Sequence, residues 1–326
     1  MASSSGRPSP VSEGEGGKIA SIANGETTWV DVTDPGPSEL AKLARDYHFH
    51  LLDLDACTST AHLTKMEDHD EYFFITMQVP DEASKGAIVS NQVVMFLGAD
   101  YLVTVHPSSL KTVSALFQSC KDYEKQRDAI IKSSAYLAYQ IINGLVDGVF
   151  SILNNVQKSL DSIEAVVFDE KRSSARSINI ARRQIAILRR IIYPLGIYIP
   201  DLAKAQKFSK EDLTIYFSDI RHKVGKLTST MDEMKEMVEI YNDTDFTIGS
   251  ERTNAVLSFL TIIFTLTLPA AVIAAFYGMN VPIPGALSPG AWGSPLGPYT
   301  SLIFILVLIL VPTLAMASYF RWRGWF

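Results

Sequence analysis

Residues 255–276 read AVLSFLTIIFTLTLPAAVIAAF and continue, at 277–285, as YGMNVPIPG. The first run is apolar throughout and, at 1.5 Å per residue, long enough to cross a hydrocarbon core of ~30 Å. A second run, residues 299–320, reads YTSLIFILVLILVPTLAMASYF. From Arg252 to Arg321 no Lys, Arg, Asp or Glu occurs. That gap of roughly 68 residues is about twice what one span with its flanks requires, so two crossings fit and three do not. Two buried helices of a soluble protein are the alternative, but such helices keep a polar face and the second run has none.

Outward from these runs the charge is basic at both ends: Arg252 precedes the first, and Arg321 and Arg323 follow the second in a short tail, 321–326. The positive-inside rule then expects a multi-pass protein of the cell (inner) membrane with both termini in the cytoplasm and the loop 277–298 outside. Tyr277, Trp292, Tyr299, Trp322 and Trp325 stand where an aromatic belt forms.

Every carboxylate lies in the first 252 residues. The soluble part is therefore acidic, a balance that suits cations and disfavours nucleic acid. Cys57 and Cys120 show no CxxC spacing, against a disulfide framework or a zinc cluster. Residues 1–17, MASSSGRPSPVSEGEGG, have no apolar segment and read as a disordered lead. Over 18–125 the runs TTWVDV, HLLDL, EYFFITMQV, NQVVMFLG and YLVTVH alternate with turns and with helices at 38–47 and 110–121. This is a small α/β domain whose last two strands form a hairpin around Gly98-Ala99-Asp100. No phosphate-cradling glycine loop, GxSxG or HExxH occurs, so no enzyme is expected. The six histidines (48, 50, 62, 69, 106 and 222) show no ligand spacing beyond His48/His50, which are expected to flank a strand.

Residues 126–254 read as a helical arm and stalk. Leu145, Val149, Ile152, Val156, Leu160, Ile163 and Val167 make one stripe on a helix beginning near Ser133. A second helix, 175–193, carries ARRQIAILRR and is expected to stop near Pro194. On a third, Leu213, Phe217, Ile220, Val224, Leu227, Met231, Met234, Val238 and Tyr241 alternate in steps of four and three after a capping box of Ser209 and Asp212. Continued from Lys210 into the first apolar run, this helix is on the order of 100 Å long. It needs neighbours along its seam, either copies of itself or the shorter helices folded back.

Together these features resemble the CorA family of divalent-cation channels. The likeness rests on Tyr277 followed by Gly278-Met279-Asn280 at the end of the first of two C-terminal spans, on RTNAVLSFLT with Asn254, on LRR followed by Pro194, and on YFSDI with Asp219. It implies an α+β membrane protein: a cytoplasmic α/β domain, a long helical stalk and two transmembrane helices, assembled as a funnel-shaped homo-oligomer, a pentamer, in a lipid bilayer. Since two helices cannot enclose a pore, a conducting form must be an oligomer in any case. The resemblance makes the first span pore-lining. Heptad steps down from Asn254 give Ser250, Thr247 and Asp243, a polar line offset from the apolar seam. Upward, Leu257, Leu260 or Thr261, Phe264, Leu268, Ala271 and Ala275 continue it, with an apolar constriction expected among the bulky ones.

Mg2+ gives up its waters reluctantly, so a ring of Asn280 carbonyls is expected to accept hydrogen bonds from the still-hydrated ion. Gly278 permits the turn and Met279 packs. Cargoes are Mg2+, with Co2+, Ni2+ and Zn2+ as alternatives. The resemblance further implies a regulatory Mg2+ at Asp219, shared with Asp81 or Glu82 of a neighbouring subunit in the loop after EYFFITMQV. Asp232, Glu233 and Glu236 are the next candidates. The loop VPIPGALSPGAWGSPLGP lacks any carboxylate, which leans toward ZntB-like zinc transporters, whereas the retained methionine of the signature favours magnesium. A membrane-tethered cytoplasmic sensor is the reading of another class, and it leaves the polar line entering the span without a purpose.

Overall fold

A computed structural model describes residues 19–59, 64–83, 87–167, 174–279 and 300–324. The 1–17 lead, His62, Asn280, most of the 277–298 loop with Trp292 and Tyr299, and Trp325 lie outside the described residues. The chain divides into two compact units, Met1–Asp243 and Thr244–Phe326.

The first unit is built on a six-stranded mixed sheet of order β1-β2-β6-β5-β4-β3. Its strands are β1 (Ile19–Asn24), β2 (Thr27–Thr33), β3 (Lys65–Asp68), β4 (Phe73–Ala83), β5 (Ala87–Leu97) and β6 (Tyr101–His106). Only β2 and β6 run parallel. Successive side chains leave a strand on opposite faces. Phe73, Ile75, Met77, Val93, Met95 and Leu97 therefore join one core, with the helical arm, while Phe74, Val94, Phe96 and Val103 join another, under α1 (Pro37–Tyr47) and α2 (Leu51–Ala56). Both faces are covered, which is why the strands read as nearly unbroken apolar runs. The β5–β6 turn forms as expected, Gly98 N–H donating to Tyr101 O at 2.9 Å. A Cβ at Gly98 would stand 2.4 Å from the Tyr101 ring, so no larger residue fits this turn without displacing that ring.

Several local expectations change. HLLDL is helical, not a strand: the His50 Nδ1 accepts the Leu52 N–H at 3.3 Å as a cap, and Leu51 and Leu52 point outward. His48 sits at the end of α1 with φ 56°, so neither histidine flanks a strand. The short β1 and β3 at the two sheet edges carry little apolar signal and have no counterpart among the expected strands. Asp81 and Glu82 lie inside β4, paired with Val89 and Ile88, because the β4–β5 ladder extends beyond the apolar run.

The arm comprises α3 (Lys111–Asp122), α4 (Glu124–Ile130), α5 (Ser134–Val167) and α6 (Ala175–Tyr198), followed by a 3-10 helix (Ile199–Phe208) and α7 (Thr214–Gly278). Helix α6 runs through Pro194 instead of stopping there. Continued burial of Ile191, Ile192, Leu195, Ile199 and Leu202 offsets the hydrogen bond the proline removes, a cost of about 3 kcal/mol. Helix α7 begins at Thr214 and not at Lys210. Asp212 Oδ1 accepts the Thr214 N–H at 2.9 Å, while Ser209 Oγ takes the N–H of Glu211 at 3.1 Å outside the helix.

All nine seam residues from Leu213 to Tyr241 are buried, in one core with α5 and α6. The neighbours that the seam needed are thus the shorter helices of the same chain. Polar ties brace the edges: Lys223 Nζ to Asn143 Oδ1 (2.7 Å) and Asp147 Oδ1 (2.8 Å), Arg189 Nη2 to Asp232 Oδ1 (2.9 Å), and Tyr241 O–H to Glu164 Oε2 (3.1 Å).

The second unit contains the remainder of α7 and α8 (Thr300–Trp322). Among the described residues three helices, α5, α7 and α8, are long and apolar enough to cross a membrane. The apolar face of α5 is spent inside the first unit, whereas α7 and α8 leave theirs open: Phe259, Phe264, Leu268, Phe304, Val311 and Leu314 are all more than half exposed. A surface of this kind is not stable in water and suits hydrocarbon.

Candidate functional site

Beyond Tyr241, α7 divides into two sides. Ser258, Ile262, Thr265, Pro269, Ile273 and Tyr277 follow one another at helical spacing and are half-buried or buried. One or two residues behind them, Leu257, Thr261, Phe264, Leu268, Ala271 and Ala275 are exposed, as is Leu260 beside them. Asp243, Thr247, Ser250 and Asn254 extend that line downward, and all four are exposed. Every described residue of the expected path is thus exposed at heptad-like steps of one helix, and Val256, Phe259, Ile263 and Val272 on its other sides are exposed too. Gly278 and Met279 end that helix, both exposed.

The hydroxyls along α7 are used within it. Thr253 donates to Gly249 O (3.0 Å), Thr261 to Leu257 O (2.7 Å) and Thr267 to Ile263 O (2.9 Å). Back-bonding to the carbonyl four residues earlier satisfies a hydroxyl where water is scarce. It also means that Thr261 presents its methyl group to the line, so Leu257, Leu260, Phe264 and Leu268 make an apolar stretch between the polar line below and Gly278 above. On α8, Arg323 lies over the Tyr319 ring at 5.9 Å, and Tyr319 neighbours Trp322 at 6.4 Å, an aromatic and basic end of the kind found at a membrane surface.

Asp219, half exposed on α7, faces Lys223 one turn on (3.5 Å). Lys223 in turn binds Asp147 and Asn143 of α5. Burial acts to lower the Lys223 pKa, but the hydrogen bond and charge of Asp147, joined by Asp219, outweigh it and raise it. Burial, and after it the Asp219 charge, likewise raises Tyr139. Asp81 Oδ2 accepts from Asn91 Nδ2 (3.0 Å) and Glu82 Oε2 from Asn155 Nδ2 (3.0 Å). Both carboxylates line a cleft of ≈ 630 Å³ with Ser109, Thr112 and Ser151. Among the described residues no hydrogen bond or ion pair joins Asp219 to Asp81 or Glu82. Lys223, the partner of Asp219, was signalled in residue order by i, i+4 spacing alone, and Asn143 and Asp147, which bind Lys223 in turn, lie on another helix.

YfjQ of Bacillus subtilis is 27% identical over 310 residues, covering 91% of this chain and 89% of its own length. The cobalt/magnesium transport protein CorA of Thermotoga maritima is 24% identical over 305 residues, covering 91% of this chain and 83% of its own. Among solved structures, the complete CorA magnesium transporter from Methanocaldococcus jannaschii shares the fold, with a TM-score of 0.74 at 19% identity and 94% of each chain covered. The family described as CorA-like Mg2+ transporter protein matches residues 24–321, from the end of β1 to the end of α8. This chain belongs to the CorA-like Mg2+ transporter family.

Proposed function

We propose that the chain is a channel for divalent cations, with Mg2+ as its principal cargo and Co2+ as a second, in the cell membrane. What supports this is the run of exposed residues at heptad-like steps from Asp243 to Ala275 on α7, polar below and apolar above, on a helix whose seam from Leu213 to Tyr241 is already covered by its own chain. Copies of the protomer, five in the reading argued from family likeness, meet along that line. They enclose a path that is polar from Asp243 to Asn254 and apolar from Leu257 to Leu268. Helices α7 and α8 are the two spans, and both termini are cytoplasmic. At the outer mouth, Asn280 carbonyls accept hydrogen bonds from the water shell of the ion, which spares Mg2+ its costly dehydration. The apolar stretch closes the path by excluding water. Asp219, with Asp81 or Glu82 of the neighbouring subunit, holds a regulatory Mg2+ between like charges, and its loss lets the subunits part and the path open.

The relatives named as cobalt/magnesium transport proteins support Mg2+ and Co2+ over Zn2+. Purified protein in liposomes tests the reading: Mg2+ and Co2+ should enter down their own gradients with no pH gradient imposed. Entry of Zn2+ alone, and only with a pH gradient, would replace the magnesium reading by the zinc one.

A further inference from the structure

We propose that Asp53, Glu67 and His69, in the α/β domain and far along the chain from α7, form a binding site for a transition-metal dication such as Zn2+, Co2+ or Ni2+. Strand β3 is the sheet's outer strand, and Glu67 and His69 are two residues apart, so both emerge on the same face. Glu67 stands opposite Phe74, whose ring belongs to the core under α1 and α2. Helix α2 covers that face and supplies Asp53. One donor atom from each of the three residues lies within 4.8 Å of the others. His69 Nε2 is 3.0 Å from Asp53 Oδ2 and 3.9 Å from Glu67 Oε2. Donors around a tetrahedral ion at bond lengths of ~2.1 Å stand roughly 3.4 Å apart, so the observed separations straddle what an ion requires.

Two further observations point to a ligand. Asp53 is almost wholly buried, its side chain 3% exposed, and is held by the Tyr72 hydroxyl, which donates to Oδ2 at 2.7 Å while accepting the His50 N–H at 3.1 Å. Such fixing of a carboxylate by a hydrogen-bond donor is how metal ligands are oriented, although here Tyr72 engages the same oxygen that stands nearest His69. His69 Nε2, for its part, is shut off from solvent and makes no hydrogen bond, although Asp53 Oδ2 is near: the ring is close enough to the carboxylate but wrongly aimed for an N–H to reach it. A buried nitrogen in that state is costly. An ion shared by the ring and the two carboxylates uses the lone pairs as they stand.

The cations nearby do not block the site. Lys65 reaches Glu67 at 2.7 Å through a pair that is about two-fifths exposed on both sides, weak enough to yield. Lys207 is engaged with Asp68 and the His69 carbonyl oxygen. The imidazole donor sets the class of ion: Mg2+ prefers an all-oxygen octahedron with waters retained, whereas imidazole with carboxylates suits Zn2+, Co2+ and Ni2+. The site thus separates these metals from hydrated Mg2+, which the proposed path handles through its water shell.

The test uses the full chain in detergent, stripped of metal by a chelator and titrated with Zn2+ and, separately, with Co2+. Wild type should bind one Zn2+ per chain that His69→Gln and the half-exposed Glu67→Gln bind at least ~10-fold more weakly. Its Co2+ form should show the visible absorption of a partly dehydrated, nitrogen-ligated ion, lost in His69→Gln. Equal Zn2+ binding by wild type and both variants, or a wild-type Co2+ spectrum identical to that of the fully hydrated ion, overturns the site. So does a purely structural ion pair, in which His69→Gln lowers the Tm in metal-free buffer and Zn2+ raises the Tm of neither protein. Mg2+ uptake by the same variants reads the channel separately and should match wild type.

Discussion

The two halves of α7 carry apolar residues at the same steps of three and four, yet they end in opposite environments. From Leu213 to Tyr241 every seam residue is buried under α5 and α6. From Leu257 to Leu268 residues of the same types at the same spacing are open, Leu257 at 55% and Phe264 at 67% exposure. Spacing alone therefore says that a helix has an apolar stripe and not what covers it. In the first half the cover is part of the chain, and the polar ties of Lys223, Asp232 and Tyr241 mark its edges. In the second, no charged residue occurs for the whole length of the apolar run, a surface that suits hydrocarbon.

Substitution on the two halves should separate these roles. Leu227→Ala, in the fully buried seam, should cost about 2–5 kcal/mol, read from denaturation of the detergent-solubilised chain. Leu257→Ala, which empties no core of its own chain, should cost clearly less, and equal losses would break the comparison. Leu260→Asn should leave stability near wild type but raise the resting Mg2+ flux several-fold at high internal Mg2+, since one amide per copy rewets the apolar stretch. An unchanged flux would place another register in the path.

A smaller effect is expected at Asp219→Lys, which sets a second ammonium one turn from Lys223. Protection from protease by Mg2+ should no longer titrate with the ion. Protection that titrates as in wild type would return attention to Asp232, Glu233 and Glu236. The smallest effect tests the sheet. Both His106 ring nitrogens face acceptors, Asp31 Oδ1 at 3.1 Å and Pro107 O at 2.9 Å. Burial acts to lower the His106 pKa, but the hydrogen bond and charge of Asp31 outweigh it and raise it above its ordinary value of about 6.5. A raised pKa stabilises fully below the unfolded value and fades as pH climbs through the folded one. The stability gap between wild type and His106→Gln should thus be widest near pH 6 and narrow on the alkaline side. A gap that widens with pH would contradict the charged ring.

Much of this was readable in residue order. The seam of α7, the stripe of α5 and the β5–β6 hairpin follow from periodicity and a glycine turn. Elements set by capping or by edge position were less legible. HLLDL alternates like a strand, but the His50 cap starts a helix there; Pro194 looks like a stop, but the core on either side carries α6 through it. The grouping of Asp53, Glu67 and His69 was invisible because it joins a helix to the sheet edge across intervening chain, with no repeat or motif to announce it. The same holds for Asp147 beside Lys223, and for Asp81 and Glu82, which belong to a strand that outlasts its own apolar signal.

The central claim is that the open line of α7 leads to a mouth where Asn280 receives the hydrated ion, and Asn280→Ala tests it most directly. Mg2+ influx into liposomes should be measured for this variant and for wild type, with the oligomer of each checked by size-exclusion chromatography in detergent. The account predicts an intact oligomer and an uptake indistinguishable from protein-free liposomes; uptake at the wild-type rate would contradict it.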